Sequence, residues 1–310
     1  MERLAAISVD LDEVGCYAAI HGLSGAVPSA AAHAVYTRAV PRFEDLFGEL
    51  GIDGTFFAIG RDLERPENAD AIRRLHSHGH EIGNHSYSHF YDLTRRSREE
   101  IATDISRGIE RILDVTGEYP RGFRAPGYTV SDELFSVLEE LDVHYDSSVF
   151  PCPAYYAAKS ATIAALGLRG RPSQSIVDDP RVLSAPADPY RVGEPYWTRG
   201  KGTMELPIGV TRGVTGRLPF IGTSVVLAGT VGAAALTKLV AGRPFVNLEL
   251  HGIDLADAEL DGLDFLASHQ PDLRRSFRDK RAALVASIEE LRFHGYRFVT
   301  LAEAADSFHS

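Results

Sequence analysis

The chain has 310 residues, of which 44% are hydrophobic and 24% charged, and a formal net charge of −11. That composition suits a globular protein with a substantial core. The negative charge argues against a nucleic-acid partner, which needs clustered Lys and Arg, and against docking on anionic lipid through a basic patch.

Met1-Glu2-Arg3-Leu4 runs straight into an apolar stretch, without the charged region, long apolar run and cleavage site of a secretory signal. The two cysteines, Cys16 and Cys152, have no metal-motif spacing. Free thiols in a reducing compartment, and so a cytoplasmic protein, are the expectation.

Short strand-like runs alternate with helical patterns, which predicts an α/β fold with a parallel sheet or barrel. Ala5 to Val9 reads as the first strand. Residues 41–50 read as a helix, with Phe43, Leu46, Phe47 and Leu50 at spacings of three and four. Gly54 to Ile59 is a short buried-type strand, 68–78 a helix, and Glu81 to His85 a strand entering a loop. Ser97 and Glu100 have capping-box spacing at the start of a helix reaching about Val115. The Pro126-Gly127 pair ends regular structure after Phe123; a helix over 131–141 and a strand over 143–149 follow.

Residues 151–200 are rich in Pro, Gly, Tyr and Ser, and periodicity fades after Leu168. They predict a long ordered excursion from a single domain spanning 1–310. Strands are expected at 203–210, 245–251 and 296–300, and a long amphipathic helix at 273–293. The stretch 218–237 carries no charge but is diluted by Pro219, glycines and threonines. It reads as a buried segment or pocket wall rather than a membrane span, with contact to a lipid-linked substrate as the minority alternative.

Three polar clusters fall at predicted strand ends, where α/β folds build their sites. Asp10 and Asp12 lie two apart in extended chain and so face one side. His85 and His89, at i and i+4, are expected on one face of a helical turn, able to reach one cation. With Asp12 they make a two-His, one-Asp set that leaves an open position; iron and other divalent ions fit it too. His251 ends the apolar strand 245–250. Alone, each cluster has an ordinary structural reading: a polar turn, a chance pair, a satisfied histidine.

Together, in order, they resemble the NodB-homology polysaccharide deacetylases, carbohydrate esterase family four, from about Ile7 to Leu301. The resemblance rests on Ser8-Val9-Asp10-Leu11-Asp12, Gly54 to Gly60, His80-Glu81-Ile82-Gly83-Asn84-His85-Ser86-Tyr87-Ser88-His89, Phe123-Arg124-Ala125-Pro126-Gly127-Tyr128, Tyr145 to Pro151, and His251. It implies a distorted (β/α)7 barrel. It implies Asp10 as base, Asp12, His85 and His89 as ligands of a divalent metal, Arg124 steadying Asp10, and Asp146 orienting His251 as acid. Zinc is the first expectation for the metal, with cobalt, iron or nickel as alternatives. The implied reaction removes an acetyl or formyl group from the nitrogen of an amino sugar or glycoconjugate, lipid- or nucleotide-linked or small. The backbone N–H of Gly127 is the expected oxyanion donor, and Arg124 is expected to keep Asp10 ionised.

This chain departs from the family pattern at three places. One residue separates the two aspartates, Gly127 and Tyr128 stand in reverse order to the usual aromatic and glycine, and Glu249 replaces a hydrophobic residue two before His251. A carboxylate on the floor of an acyl pocket would disfavour a methyl group unless turned away or paired. His76 and His78 read as a helix end, His80 as structural, and Glu205 as a lesser pocket candidate. Trp197, Tyr155, Tyr156, Tyr190 and Tyr196 read equally as sugar-stacking rings or as a small core. Rival functions are a hydrolase of small cyclic amides, resembling allantoinase-like members, and a non-catalytic carbohydrate-binding protein. The oligomeric state stays open.

Overall fold

The computed structural model describes residues 2–308 except 24, 26, 169, 171, 172, 214 and 215. Nine strands form one sheet: β1 (Arg3–Asp10), β2 (Thr55–Ala58), β3 (Glu81–Asn84), β4 (Gly122–Phe123), β5 (Tyr145–Asp146), β6 (Tyr190–Val192), β7 (Arg199–Glu205), β8 (Phe245–His251) and β9 (Tyr296–Phe298). Their order is β6-β7-β5-β4-β3-β2-β1-β8, with β9 paired to β1. β6 is antiparallel to β7. Apart from β6, and from β9 beside β1, seven parallel strands curl around one interior, which bears out the expected distorted barrel.

Successive side chains leave a strand on opposite faces, and β1 shows what each face is for. Ala5, Ile7 and Val9 join Val246, Leu248 and Leu250 of β8 in the layer beneath the helices. Leu4 and Ala6 point inward, where Phe57, Tyr145, Met204 and Phe245 close the barrel floor. Higher on these inner faces stand Ser8 and Asp10 of β1, and Asn247, Glu249 and His251 of β8. The interior therefore changes from apolar to polar toward the carboxyl ends of the strands. Midway, Ser147 Oγ donates to Leu206 O (2.8 Å) and accepts from Arg124 Nη2 (2.8 Å) and Asn247 Nδ2 (2.9 Å). Ser8 Oγ donates to Asn247 Oδ1 at 2.9 Å.

Between β7 and β8 the barrel closes through irregular chain. Leu206 and Ile208 donate to Asp146 O (2.9 Å) and Val149 O (3.0 Å), while Gly209 donates to Asn247 O (2.9 Å) on the other side. The strand expected to reach residue 210 ends at Glu205 for this reason: the chain beyond it shares its bonds between two neighbours instead of continuing one ladder. A Cβ on Gly209 would lie 2.5 Å from Asn247 O, so this close approach needs glycine.

The main helices follow their apolar periodicity. Arg98–Thr116 starts at the expected capping box, and Val40–Leu50 buries Phe43, Leu46 and Phe47. The long C-terminal helix runs Phe277–Phe293, capped by Ser276, and the residues before it form a separate turn, Pro271–Arg274. The 151–200 excursion opens with a helix, Pro153–Leu168, and continues into β6 and β7. Tyr190 and Tyr196 are buried there, with Tyr156 and Trp197 packed against them. All five candidate stacking rings thus have packing partners, Tyr155 lying against Phe150 and Tyr128 with ring centroids 4.8 and 5.9 Å apart.

The uncharged 218–237 stretch becomes a helix, Gly222–Val240, broken in phi at Gly229. It is long and apolar enough to cross a membrane. One face is core, through Val225, Val226, Ala233 and Val240, and Thr237 bonds Ser287 of the C-terminal helix at 2.9 Å. The opposite face is open, with Val231 85% exposed, so the segment is only partly the buried wall expected of it.

Candidate active site

Asp10 ends β1, His85 follows β3, Arg124 follows β4, Asp146 ends β5 and His251 ends β8. Strand ends thus place these side chains at one mouth of the barrel, and all except His251 are buried.

The two histidines do not share a helical turn, contrary to the sequence expectation. The chain from 85 to 90 is a loop, and Ser86 (φ 61°) and His89 (φ 54°) adopt left-handed backbone that turns it back on itself. His85 Nε2 and His89 Nε2 end 3.2 Å apart, and Asp12 Oδ1 lies 3.2 Å from the first and 3.1 Å from the second. His85 Nδ1 sits 2.7 Å from Arg124 O, an atom that only accepts. The proton is thereby fixed on Nδ1, and the Nε2 lone pair faces Asp12 and His89. Asp12 Oδ1 is buried without a hydrogen-bond donor. The His85 lone pair and the Asp12 oxygen crowd together and call for a positive centre between them, supplied by a cation or by a donor at His89 Nε2. A tetrahedral zinc with bonds of about 2.0–2.1 Å separates its ligands by about 3.3 Å, so the triad fits such an ion. Burial opposes the Asp12 charge, but His89 and His85 outweigh it and hold this carboxyl well below its usual range.

Asp10 Oδ1 accepts from Arg124 Nη1 at 2.8 Å, and its Oδ2 lies 3.9 Å from His85 Nε2. Arg124 is locked by Ser147 O (2.7 Å) and lies over the Phe57 ring. Arg124 favours the ionised form of Asp10, as expected, but it works against burial. Burial raises the Asp10 pKa more than Arg124 and His85 lower it, which favours a proton acceptor over a permanently inert anion.

A second correction concerns the acid. Asp146 was expected to orient His251, but both its oxygens are used by Ser148: Oδ2 by the backbone N–H (2.9 Å) and Oδ1 by the hydroxyl (2.8 Å). Behind it stands Glu205, its register partner across β5 and β7. Burial and the Asp146 charge push the Glu205 pKa well up. His251 Nδ1 instead lies 3.0 Å from Glu249 Oε1. Burial disfavours the imidazolium, yet the Glu249 carboxylate overrides it and holds the His251 pKa well above its usual range. The paired Glu249 is thus no bare charge beneath an acyl group.

Gly127 has φ 63° and its carbonyl accepts from Lys159 Nζ at 2.8 Å. Tyr128, with φ 60°, places its hydroxyl 3.2 Å from His251 Nε2. Sequence reasoning missed both Lys159 and the Tyr128 hydroxyl; the exchanged Gly127-Tyr128 order was the signal for the latter. His80 is structural as expected, its Nδ1 accepting from Gly54 N at 3.2 Å. His76 and His78 pair with Glu118 and Glu44 away from the mouth. Cys16 and Cys152 are free thiols. A cleft of about 740 Å³ opens over His89, walled by Tyr91, Phe90, Cys16, Arg61, Arg95 and Arg96.

Residues 33–145 match the profile of the polysaccharide deacetylase family. That span holds His85, His89 and Arg124 and leaves Asp10, Asp12, Glu249 and His251 outside it. The chain is 33% identical over 103 residues to a chitin deacetylase of Arthroderma benhamiae, covering 32% of this chain and 27% of that protein. It is 27% identical over 150 residues to a peptidoglycan deacetylase of Helicobacter pylori, covering 48% and 50%. The chain thus spans at most half the length of these relatives. Among solved structures, a Mycobacterium smegmatis protein assigned as a polysaccharide deacetylase superposes with TM-score 0.60 at 18% identity, covering 100% of this chain and 91% of that one. A peptidoglycan N-acetylglucosamine deacetylase superposes with TM-score 0.51 at 16% identity, over 97% and 87%.

Proposed function

On the premise that this chain has the fold and motifs of the NodB-homology polysaccharide deacetylases, we propose that it is a divalent-metal hydrolase removing an N-acyl group from an amino sugar or glycoconjugate. One observation carries the reading. The triangle of Asp12, His85 and His89 is flanked by Asp10 on β1 and His251 on β8, a ligand set with an acid and a base beside it. Zinc suits the donor set, and a bound ion there supplies Lewis acidity toward the acyl oxygen and a lowered pKa for water.

The chain's own residues divide the rest of the work. Asp10 accepts the proton of the attacking water, and Arg124 fixes its orientation. As the C–O bond forms, the acyl oxygen gains negative charge, for which the Gly127 N–H is the proposed backbone donor. His251 gives its proton to the sugar nitrogen as the C–N bond breaks, because an amine leaves poorly as an anion. Carboxylate and free amine are the products. The cleft above His89 admits the sugar, and its arginines suit a carrier bearing negative charge.

The test pairs elemental analysis with amine release from a panel of N-acetyl and N-formyl amino sugars, on wild type and His85→Ala. Stoichiometric metal lost in the variant together with amine release is expected. A wild type that binds no zinc, cobalt or iron and releases no amine would overturn the reading.

A further inference from the structure

We infer that Glu249, not Asp146, is the positioning residue that holds His251 for proton donation. The inference rests on the proposed hydrolysis only for what the proton is used for; the pairing itself is geometric.

Glu249 and His251 are two apart on one extended strand, so both side chains face the barrel interior. Their separation, 3.0 Å between Oε1 and Nδ1, is set within a single strand and needs no docking of a second element. β8 itself is pinned over its whole length to β1, Ser8 against Glu249 and Asp10 against His251. Glu249 Oε1 stands beside Nδ1, and Nε2 lies 3.2 Å from the Tyr128 hydroxyl. That hydroxyl donates to neutral His251 and accepts from the imidazolium, so it marks where a leaving nitrogen takes the proton. Glu249 is fully buried, and Asp10, Asp12, Arg124, Asp254 and Asp272 are the other charged groups acting on this pair.

Asp146 is committed elsewhere. Ser148 Oγ, which donates to Asp146, also accepts from Ala125 N at 2.7 Å. Asp146 thus braces the turn that carries Pro126, Gly127 and Tyr128. Its pairing with Glu205, whose Oε1 accepts from Val149 N at 3.0 Å, ties the same brace to the barrel wall. The carboxylate beside the histidine therefore lies on the histidine's own strand, and Asp146 serves the fold.

The experiment is an NMR titration of the His251 ring, assigned with a His251→Gln control, in the zinc-loaded wild type, Glu249→Gln, Glu249→Asp and Asp146→Asn. The pH profile of amine release is read alongside. Glu249→Gln should lower the His251 midpoint by at least about one unit, tenfold in protonation equilibrium, and pull the alkaline limb of kcat down with it. Loss of kcat with little change in KM is expected, and Glu249→Asp should restore part of the shift. Asp146→Asn should lower the melting temperature and leave the His251 midpoint in place. If Glu249→Gln does not fold, Glu249→Asp carries the comparison. A midpoint that follows Asp146→Asn and ignores both Glu249 variants overturns the inference. A wild type that releases no amine, but whose midpoint still moves with Glu249, leaves the pairing standing and removes the deacylase reading instead.

Discussion

Asp10 and His251 are register partners, the last residues of adjacent parallel strands, and their side chains leave the ladder on the same face. The proposed base and acid are thereby set side by side by backbone hydrogen bonds and not by loops. Asp10 also neutralises Arg124, which is fully buried. Asp10→Asn keeps an acceptor for the guanidinium, so the fold and bound metal should persist while amine release falls about 10²–10⁴-fold. Asp10→Ala leaves the guanidinium unpaired and should cost about 3–5 kcal/mol in urea denaturation. Equal stability for the two variants would contradict the assigned pairing.

The crowding of Asp12 Oδ1 with two imidazole nitrogens gives the proposed metal site a consequence for stability as well as for chemistry. Zinc at about 100 times its Kd should stabilise the native chain by about 2.7 kcal/mol. Chelation should lower the melting temperature of wild type and do nothing to His89→Ala. A melting temperature indifferent to zinc and chelator in wild type would rule out the triad as a binding site.

Lys159 is half-buried, its Nζ donating to Gly127 O, and desolvation pulls its pKa from 10.5 down to about 8. Between those values the unfolded chain holds a proton that the native chain has released, so unfolding free energy should rise with pH in that window. Below it, where the charge is buried, this contribution is absent. Lys159→Met should flatten the rise, measured by denaturant midpoints from pH 7.5 to 10. An identical slope in the variant would place the titration on another group.

Gly209 brings the closing segment against Asn247 O, with 2.5 Å left for a Cβ. Gly209→Ala should destabilise by about 1–3 kcal/mol through forced separation of the two backbones. Gly48→Ala, where a Cβ meets nothing within 4 Å, is the control and should be neutral or stabilising. Guanidinium unfolding of both variants decides the matter.

Much of this is legible in the sequence, and the reasons differ by element. β1, β8 and the helix capped at Ser97 follow from alternation, periodicity and a local side-chain bond, all encoded within a few residues. The metal triad was legible as a set but not as a geometry. Positive φ at Ser86 and His89 carries no compositional signal, so a helical turn was the natural and incorrect expectation. Asp146 was misassigned because a buried carboxylate takes whichever donors reach it first, and Ser148 is two residues away. The Glu249-Leu250-His251 spacing did hold the answer: two residues apart on a predicted strand share a face. The ambiguous aromatics of 151–200 were settled by packing with residues distant in sequence, such as Phe135 on Tyr196.

Ser8, Asn247, Ser147, Arg124 and Asp10 form a closed circuit: it leaves β1 at Ser8, crosses to β8, passes to the segments after β5 and β4, and returns to β1 at Asp10. Because a one-residue slip turns a strand's inner side chains outward, misaligning any one of these four segments breaks the circuit and strands buried polar groups. It therefore acts as a parity check on assembly. A chain folded with a wrong strand register lacks the Asp10–Arg124 pair and also the Arg124 carbonyl that orients His85, so misaligned copies never assemble the side chains of the site.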